Sequence, residues 1–130
     1  MRFRYFDPSE QSTIEGDVQS GPEVAELISL VGGLRTGRAP AVELVGNDGS
    51  SLVVGVAGER AVLLFTDACG EAAHSVSETA GPGVVFDFFG SYTELPGGYA
   101  VPVGVAVEAA DGFAAGARPP AASELRLAHD

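Results

Sequence analysis

Lysine and tryptophan are absent from this chain of 130 residues, and cysteine occurs only once. Without lysine there is no P-loop lysine, no Schiff-base lysine and no lysine general base. A single cysteine excludes an intrachain disulfide and fits a reducing compartment. No apolar run approaches the ~20 residues that cross a bilayer, and the first residues lack the features of a signal peptide. We therefore expect a cytoplasmic protein.

Positive charge is scarce as well. The chain has 7 basic residues, all of them arginine, against 18 acidic residues, and its formal net charge is −11. Nucleic-acid binding requires cationic groups that displace counterions from phosphates, so nucleic acid is not an expected partner. Between residues 61 and 117 there is no lysine or arginine. Such a surface attracts basic protein partners; the alternative is that the acids only keep the protein soluble.

The centre of the predicted fold is the segment 41–66. Its three apolar runs, 41–46, 51–57 and 61–66, have the length of strands and are separated by two turns. Asp48-Gly49 is a strong hairpin signal, and Gly58-Glu59 can close a second hairpin. The segment is therefore predicted to form an antiparallel meander of three strands.

The rest of the chain predicts further strands and two helices. Strands are predicted at 1–6, 71–77 and 84–89 and, at the edge, through Leu125 and Leu127, whereas 7–16 and 90–98 are predicted to be irregular. Ser20 and Glu23 form a capping box, with Ser20 as the N-cap of the first helix. The predicted fold is α+β, in one domain over 1–130. An antiparallel sheet of about five or six strands, with the meander at its centre, carries two helices, at about 21–32 and 102–115, on one face.

The strands of the meander carry apolar residues on both faces, for example Leu63 and Phe65 against Val62 and Leu64. Two helices cover only one face of a sheet. The other face must then be covered by loops and the tail, or by a partner.

Arrangements with catalytic chemistry are scarce. Cys69 and His74 are five residues apart across a turn, and nothing in the pattern makes them face each other. A zinc site needs three or four N or S ligands, and this chain offers three at most, scattered along it. The glycine-containing turns precede no helix that could hold a phosphate. We expect neither an enzyme nor a metal or cofactor site.

Two longer segments, DGSSLVVGVAGERAVLLF (48–65) and VVFDFFGSYTELPGGYAVPVGVAVEAADGFAAGARP (84–119), carry a resemblance to a known family. A strand is followed by a glycine, a polar-aromatic stretch and a proline (90–96), and then by an alanine-rich helix that closes on Gly-x-Arg-Pro (116–119). Over roughly residues 41–120 the chain resembles the first-numbered family of immunity proteins from bacterial polymorphic toxin systems. Family members usually have a tryptophan shortly after the Arg-Pro, where this chain has Glu124 or Leu125.

The resemblance implies an α+β fold without catalysis. Such proteins, common in actinobacteria, are encoded beside a toxin, often a nucleic-acid deaminase, and neutralise it by tight binding. A toxin that acts on nucleic acid presents a basic cleft, which an acidic protein can occupy as a phosphate mimic. The resemblance therefore implies steric and electrostatic blockade of a deaminase or nuclease toxin. The alternative is an acidic chaperone or adaptor that binds a secreted partner without inhibiting it; monomer and dimer both stay open.

The candidate partner-binding residues are those expected on loops and on the uncovered sheet face. Tyr92 beside Glu94 is attractive because aromatic side chains anchor interfaces and carboxylates pair with arginines. For each acid the alternative is a solvated surface charge, and for Tyr92 it is a half-buried structural role. The predicted set is Asp48, Glu59, Asp67, Glu71, Asp87, Tyr92 and Glu94.

Overall fold

The computed structural model describes residues 1–34, 39–76, 81, 83–88, 91–116 and 126–129. For residues 39, 87, 88, 91, 92 and 126–129 it describes only the backbone. In chain order the elements are β1 (Arg2–Asp7), β2 (Ser12–Asp17), α1 (Pro22–Gly32), β3 (Ala39–Val45), β4 (Ser51–Ala57), β5 (Arg60–Thr66), β6 (Ala72–Val76), β7 (Val84–Phe88), β8 (Ser91–Leu95), a 3-10 turn (Gly97–Tyr99), β9 (Val101–Pro102), α2 (Val103–Gly116) and β10 (Arg126–His129).

The main sheet has the spatial order β10-β6-β5-β4-β3-β1-β2, and every neighbouring pair along this path is antiparallel. The predicted α+β fold is therefore confirmed, with the meander β3-β4-β5 at its centre. The two predicted turns close the meander as expected: Gly49 has a φ of 90° and Gly58 a φ of 66°, where a residue with a Cβ is strained.

The two helices cover one face of this sheet. From α1, the stripe of Val24, Leu27, Ile28 and Val31 is buried, as its helical spacing predicts. Helix α2 contributes small residues and Phe113, whose ring meets that of Phe65 edge-on at a centroid distance of 6.0 Å. Together with inward-facing residues of β3, β4 and β5 they form the larger core.

The β7–β8 hairpin covers part of the opposite face. β7 runs parallel to the start of β3, and the fully buried Phe86 packs with Val62 and Ala100 in a second, smaller core. Two hydrogen bonds tie the following segment to the sheet. Arg60 Nη2 donates to the Ala100 carbonyl at 2.9 Å, and Ser75 Oγ donates to the Tyr99 carbonyl at 2.5 Å. The apolar second face of the sheet is thus partly covered from within the chain.

Two segments predicted to be irregular form strands, so those predictions are wrong. Within 7–16, residues from Ser12 onward belong to β2, which pairs with β1 over six residues. Only Thr13 and Ile14 in this stretch favour strands, so pairing with β1 supplies the rest, and the Phe3 ring covers Gly16. Within 90–98, residues Ser91–Leu95 form β8 on the template of β7.

The start of α1 also differs from the prediction. The N-cap is Gly21, which has a φ of 104° and makes no side-chain cap, so the assignment of Ser20 as N-cap is wrong. Instead, the Asp111 carboxylate of α2 accepts the Gly21 N–H. The cap is supplied by tertiary packing.

The C-terminal edge strand is confirmed at Leu127 in β10, which pairs with β6. Leu125 lies outside the described residues. Within the described part of the chain, no helix is long and apolar enough to cross a membrane.

Candidate partner-binding surface

Part of the second sheet face is not covered by the β7–β8 hairpin. The register places Arg4, Glu43, Val53 and Leu64 in one row across four strands, and Arg2, Val45, Ser51 and Thr66 in the next row. Their neighbours along each strand, such as Leu44, Val54 and Phe65, face the helices. Val45 and Val53 are half-buried and belong to neither core. Leu64 packs against the smaller core, and we call the other seven residues the open face.

Both arginines of the open face lie near carboxylates. Arg4 Nε lies 2.6 Å from Glu43 Oε1, and the Glu43 side chain is only 17% exposed. Arg2 lies 4.0 Å from a Glu15 carboxylate oxygen, with both side chains more than half exposed, so this pair is weak. The floor of the open face is therefore nearly neutral and partly apolar.

Three of the predicted acids lie together at one end of the sheet. Asp48 is in the β3–β4 turn, and Asp67 and Glu71 are in the β5–β6 turn. Both turns flank the end at which Ser51 pairs with Thr66. We call Asp48, Asp67 and Glu71 the acidic rim. None of the three forms an ion pair with a described residue.

Two of these carboxylates also build their own turns. Asp48 Oδ1 accepts the Ser50 hydroxyl at 2.5 Å and the Ser50 N–H at 2.9 Å, and these two bonds lower the pKa of Asp48. Asp67 Oδ1 accepts the N–H groups of Cys69 and Glu71, both at 2.9 Å. Each aspartate uses only Oδ1 in these bonds, and Oδ2 takes no part in holding the turn.

The other four predicted residues lie toward the opposite end. Glu59 is exposed in the β4–β5 turn, where its carbonyl accepts the Val103 N–H at 2.8 Å and so positions the start of α2. Glu94 is exposed on β8 and pairs with Val85. Asp87 pairs with Tyr92 in the same hairpin, and for both only the backbone is described. The seven residues thus form two groups, one at each end of the sheet, and not one patch.

Sequence reasoning missed the acids of the sheet itself. Glu43 was not predicted because its partner Arg4 is distant in sequence. Glu15 was not placed because 7–16 was predicted to be irregular, and no element was predicted at Asp17. Asp17 pairs with Arg2, in the row that ends near the acidic rim. The alternation of Arg2 and Arg4 with Phe3 and Tyr5 was the available signal that β1 has a charged face.

Cys69 and His74 occupy different environments. Cys69 is exposed in the β5–β6 turn. His74 is buried, its ring stacked on that of Tyr99 at 3.7 Å, with Nδ1 3.0 Å from the Ser75 carbonyl oxygen. No group of three potential metal ligands occurs among the side chains that the structure describes. These positions are typical of a turn residue and a packed core residue.

The family model described as Immunity protein Imm1 matches residues 15–127, which is most of the chain. The chain belongs to the Imm1 family of immunity proteins. The predicted resemblance is thereby confirmed, and the match extends it upstream to β2 and α1. Imm1 membership indicates an immunity role and a toxin as partner, and it favours a non-enzymatic role. A comparison with curated proteins gives no match.

Proposed function

We propose that this Imm1 protein neutralises a cognate toxin in the cytoplasm by covering its active site, and that the toxin is a deaminase or nuclease acting on nucleic acid. Family membership supports the immunity role. The net charge of −11 supports a basic target, because a cleft that binds phosphates carries arginines and lysines that carboxylates can engage.

The observation that carries the choice of surface is the open face with, at its end, three acids that form no ion pair with the described residues. Val45 and Val53 supply an apolar floor, and the acidic rim supplies charged groups around it, which is the usual anatomy of a protein interface. Arginines of the toxin would bind the Oδ2 atoms of Asp48 and Asp67, which the hydrogen bonds of the turns do not use.

The floor of the open face is too small to form the whole interface, so neighbouring surfaces must also contact the toxin. Four strands at about 4.8 Å spacing span about 19 Å, and two rows of side chains span about 14 Å along the strands, so the floor covers at most about 260 Å². A standard interface buries about 800 Å² on each partner. The acidic rim on one side and Glu94, with its β7–β8 hairpin, on the other are the neighbouring surfaces that can supply the remainder.

The direct test is co-expression in a bacterial host with the toxin domain encoded by the neighbouring gene, followed by measurement of the Kd of the purified pair. We expect the wild-type chain to restore growth. Asp67→Asn with Glu71→Gln should weaken binding at least about tenfold, since each lost charge-assisted bond is worth about 1.5–3 kcal/mol. Charge reversal at Asp87 and Glu94 should likewise impair protection.

The matched control is Glu23→Gln with Glu26→Gln, which removes the same charge from exposed positions of α1 on the helix layer. It should leave Kd and growth unchanged. Equal losses in the two double variants would show that net charge matters and the proposed surface does not. Tight binding without restored growth would favour the chaperone or adaptor alternative over neutralisation.

A further inference from the structure

Strand β2 is one end of the main sheet, and among the described strands only β1 pairs with it. We propose that the free edge of β2 receives an extended segment of the toxin as an additional strand, with basic residues at alternate positions. The inference rests on the proposed function for the identity of the partner and adds a backbone recognition site to it.

The alternation of hydrogen bonds between β1 and β2 shows which backbone groups of β2 point away from β1. The Val18 N–H donates to the Met1 carbonyl at 2.8 Å, so this pair is a hydrogen-bonded one. Hydrogen-bonded and non-hydrogen-bonded pairs alternate in an antiparallel ladder, so Phe3–Gly16 and Tyr5–Ile14 are also hydrogen-bonded. The N–H and C=O groups of Thr13, Glu15 and Asp17 therefore point away from β1.

This edge lacks most of the features that normally block strand addition. Natural edges carry proline, bulges or lysine, or are very short. β2 contains neither proline nor lysine, and its six residues pair with β1 without a bulge. The remaining protection is negative charge, from Glu15 and Asp17, both exposed.

The negative charge of Glu15 and Asp17 determines which kind of segment can pair with β2. Two copies of β2 paired antiparallel about Glu15 would place the two Glu15 side chains opposite each other, which is destabilising. A basic strand instead places arginine or lysine beside Glu15 and Asp17. The competing Arg2–Glu15 contact is long, 4.0 Å, and exposed, so it opposes the exchange only weakly.

The other face of β2 favours apolar residues between the basic ones. Ile14 is half-buried against the larger core, and the Phe3 ring lies over Gly16 on that same face. A strand added beside β2 would extend this core with every second side chain. The segment that fits is therefore one that alternates basic and apolar residues.

The test uses a synthetic seven-residue peptide of alternating arginine and valine, with blocked ends, and NMR measurement of amide exchange in the full chain. At about nine times its Kd the peptide should slow exchange about tenfold at Thr13, Glu15 and Asp17. The Ile14 and Gly16 amides, already bonded to β1, are the internal reference. A peptide with glutamate in place of arginine should have no effect.

Thr13→Pro removes one outward N–H without changing charge, and proline is tolerated at an edge position of this kind. It should weaken peptide binding at least tenfold, whereas the matched Thr13→Ala should not. Unchanged exchange at the three amides would overturn the inference, even if the chain neutralises its toxin. Concentration-dependent protection without peptide would also overturn it, in favour of a second copy. Failure of neutralisation alone, with the edge amides protected by the peptide, would count against the proposed function only.

Discussion

Gly55 of β4 lies against the ring of Phe86 from the β7–β8 hairpin. A Cβ built on Gly55 would lie 2.5 Å from two carbon atoms of the Phe86 ring, closer than any normal contact. Phe86 is fully buried, so the ring has little space into which it can move. The glycine is thus required by packing on the second face of the sheet.

We expect Gly55→Ala to lower the free energy of unfolding by about 1–3 kcal/mol, the usual cost of overpacking. Gly112→Ala is the matched control, because Gly112 is an exposed residue within α2 with nothing within 4 Å of its built Cβ. That variant should be more stable than wild type by about 0.5–1 kcal/mol, from helix propensity. Urea denaturation measures both. Equal stability of the Gly55→Ala variant and wild type would mean that Phe86 does not hold the hairpin on the sheet.

A second prediction for a single residue concerns Asp48 and the dependence of fold stability on pH. The hydrogen bonds from Ser50, first from its hydroxyl and then from its N–H, lower the pKa of Asp48 below its ordinary value of 3.8. A carboxyl with a lowered folded-state pKa stabilises the fold above its unfolded pKa, and this contribution is lost as the pH falls through the folded pKa. Asp48→Asn should therefore be less stable than wild type at neutral pH, by a difference that shrinks below pH 3.8. Chemical denaturation at a series of pH values checks this, and a difference independent of pH would contradict it.

At the scale of elements, the start of α1 depends on α2. The Gly21 N–H and the Asp111 carboxylate are 90 residues apart in sequence. A carboxylate at a helix N-terminus satisfies an otherwise unpaired N–H and interacts favourably with the helix dipole. Asp111 therefore joins the two helices on the same face of the sheet.

We expect Asp111→Ala to cost about 1 kcal/mol, as for loss of an N-cap. Ser20→Ala should have little effect, because Ser20 is exposed and makes no cap. Glu108→Ala, on the same helix and exposed, controls for the loss of an acid. Thermal unfolding followed by circular dichroism compares the three. A larger loss of stability for Ser20→Ala than for Asp111→Ala would contradict this and support the capping box that the sequence predicts.

At the scale of the whole molecule, the described arginine side chains have acceptor partners, whereas the acids of the rim form no ion pair with the described residues. The arginine side chains that the structure describes, Arg2, Arg4 and Arg60, each contact a carboxylate or carbonyl oxygen. The field that reaches a distant partner is therefore negative.

Association with the cognate toxin should depend steeply on salt as a result. Between about 0.01 M and 0.15 M ionic strength the Debye length falls from about 30 Å to about 8 Å. We expect the association rate constant to fall at least about tenfold over this range, with a much smaller change in the dissociation rate constant. Stopped-flow or surface-based kinetics measures both. A salt-independent association rate would exclude electrostatic steering by the acidic surface.

The meander and the two helices were determined by the sequence itself, because their signals are local. The Asp48-Gly49 and Gly58-Glu59 turns lie between apolar runs, and the α1 stripe repeats at helical spacing, so each can be read within a few residues. The α+β fold and the Imm1 resemblance follow from the same local patterns.

Only the tertiary structure decided which residues share a surface. β2 is a strand because β1 offers it a template, Asp111 caps a helix from the other end of the chain, and the predicted acids separate to two ends of one sheet. The physical reason is that pairing, capping and surface neighbourhood are contacts between residues distant in sequence, so their free energy does not appear in any local pattern.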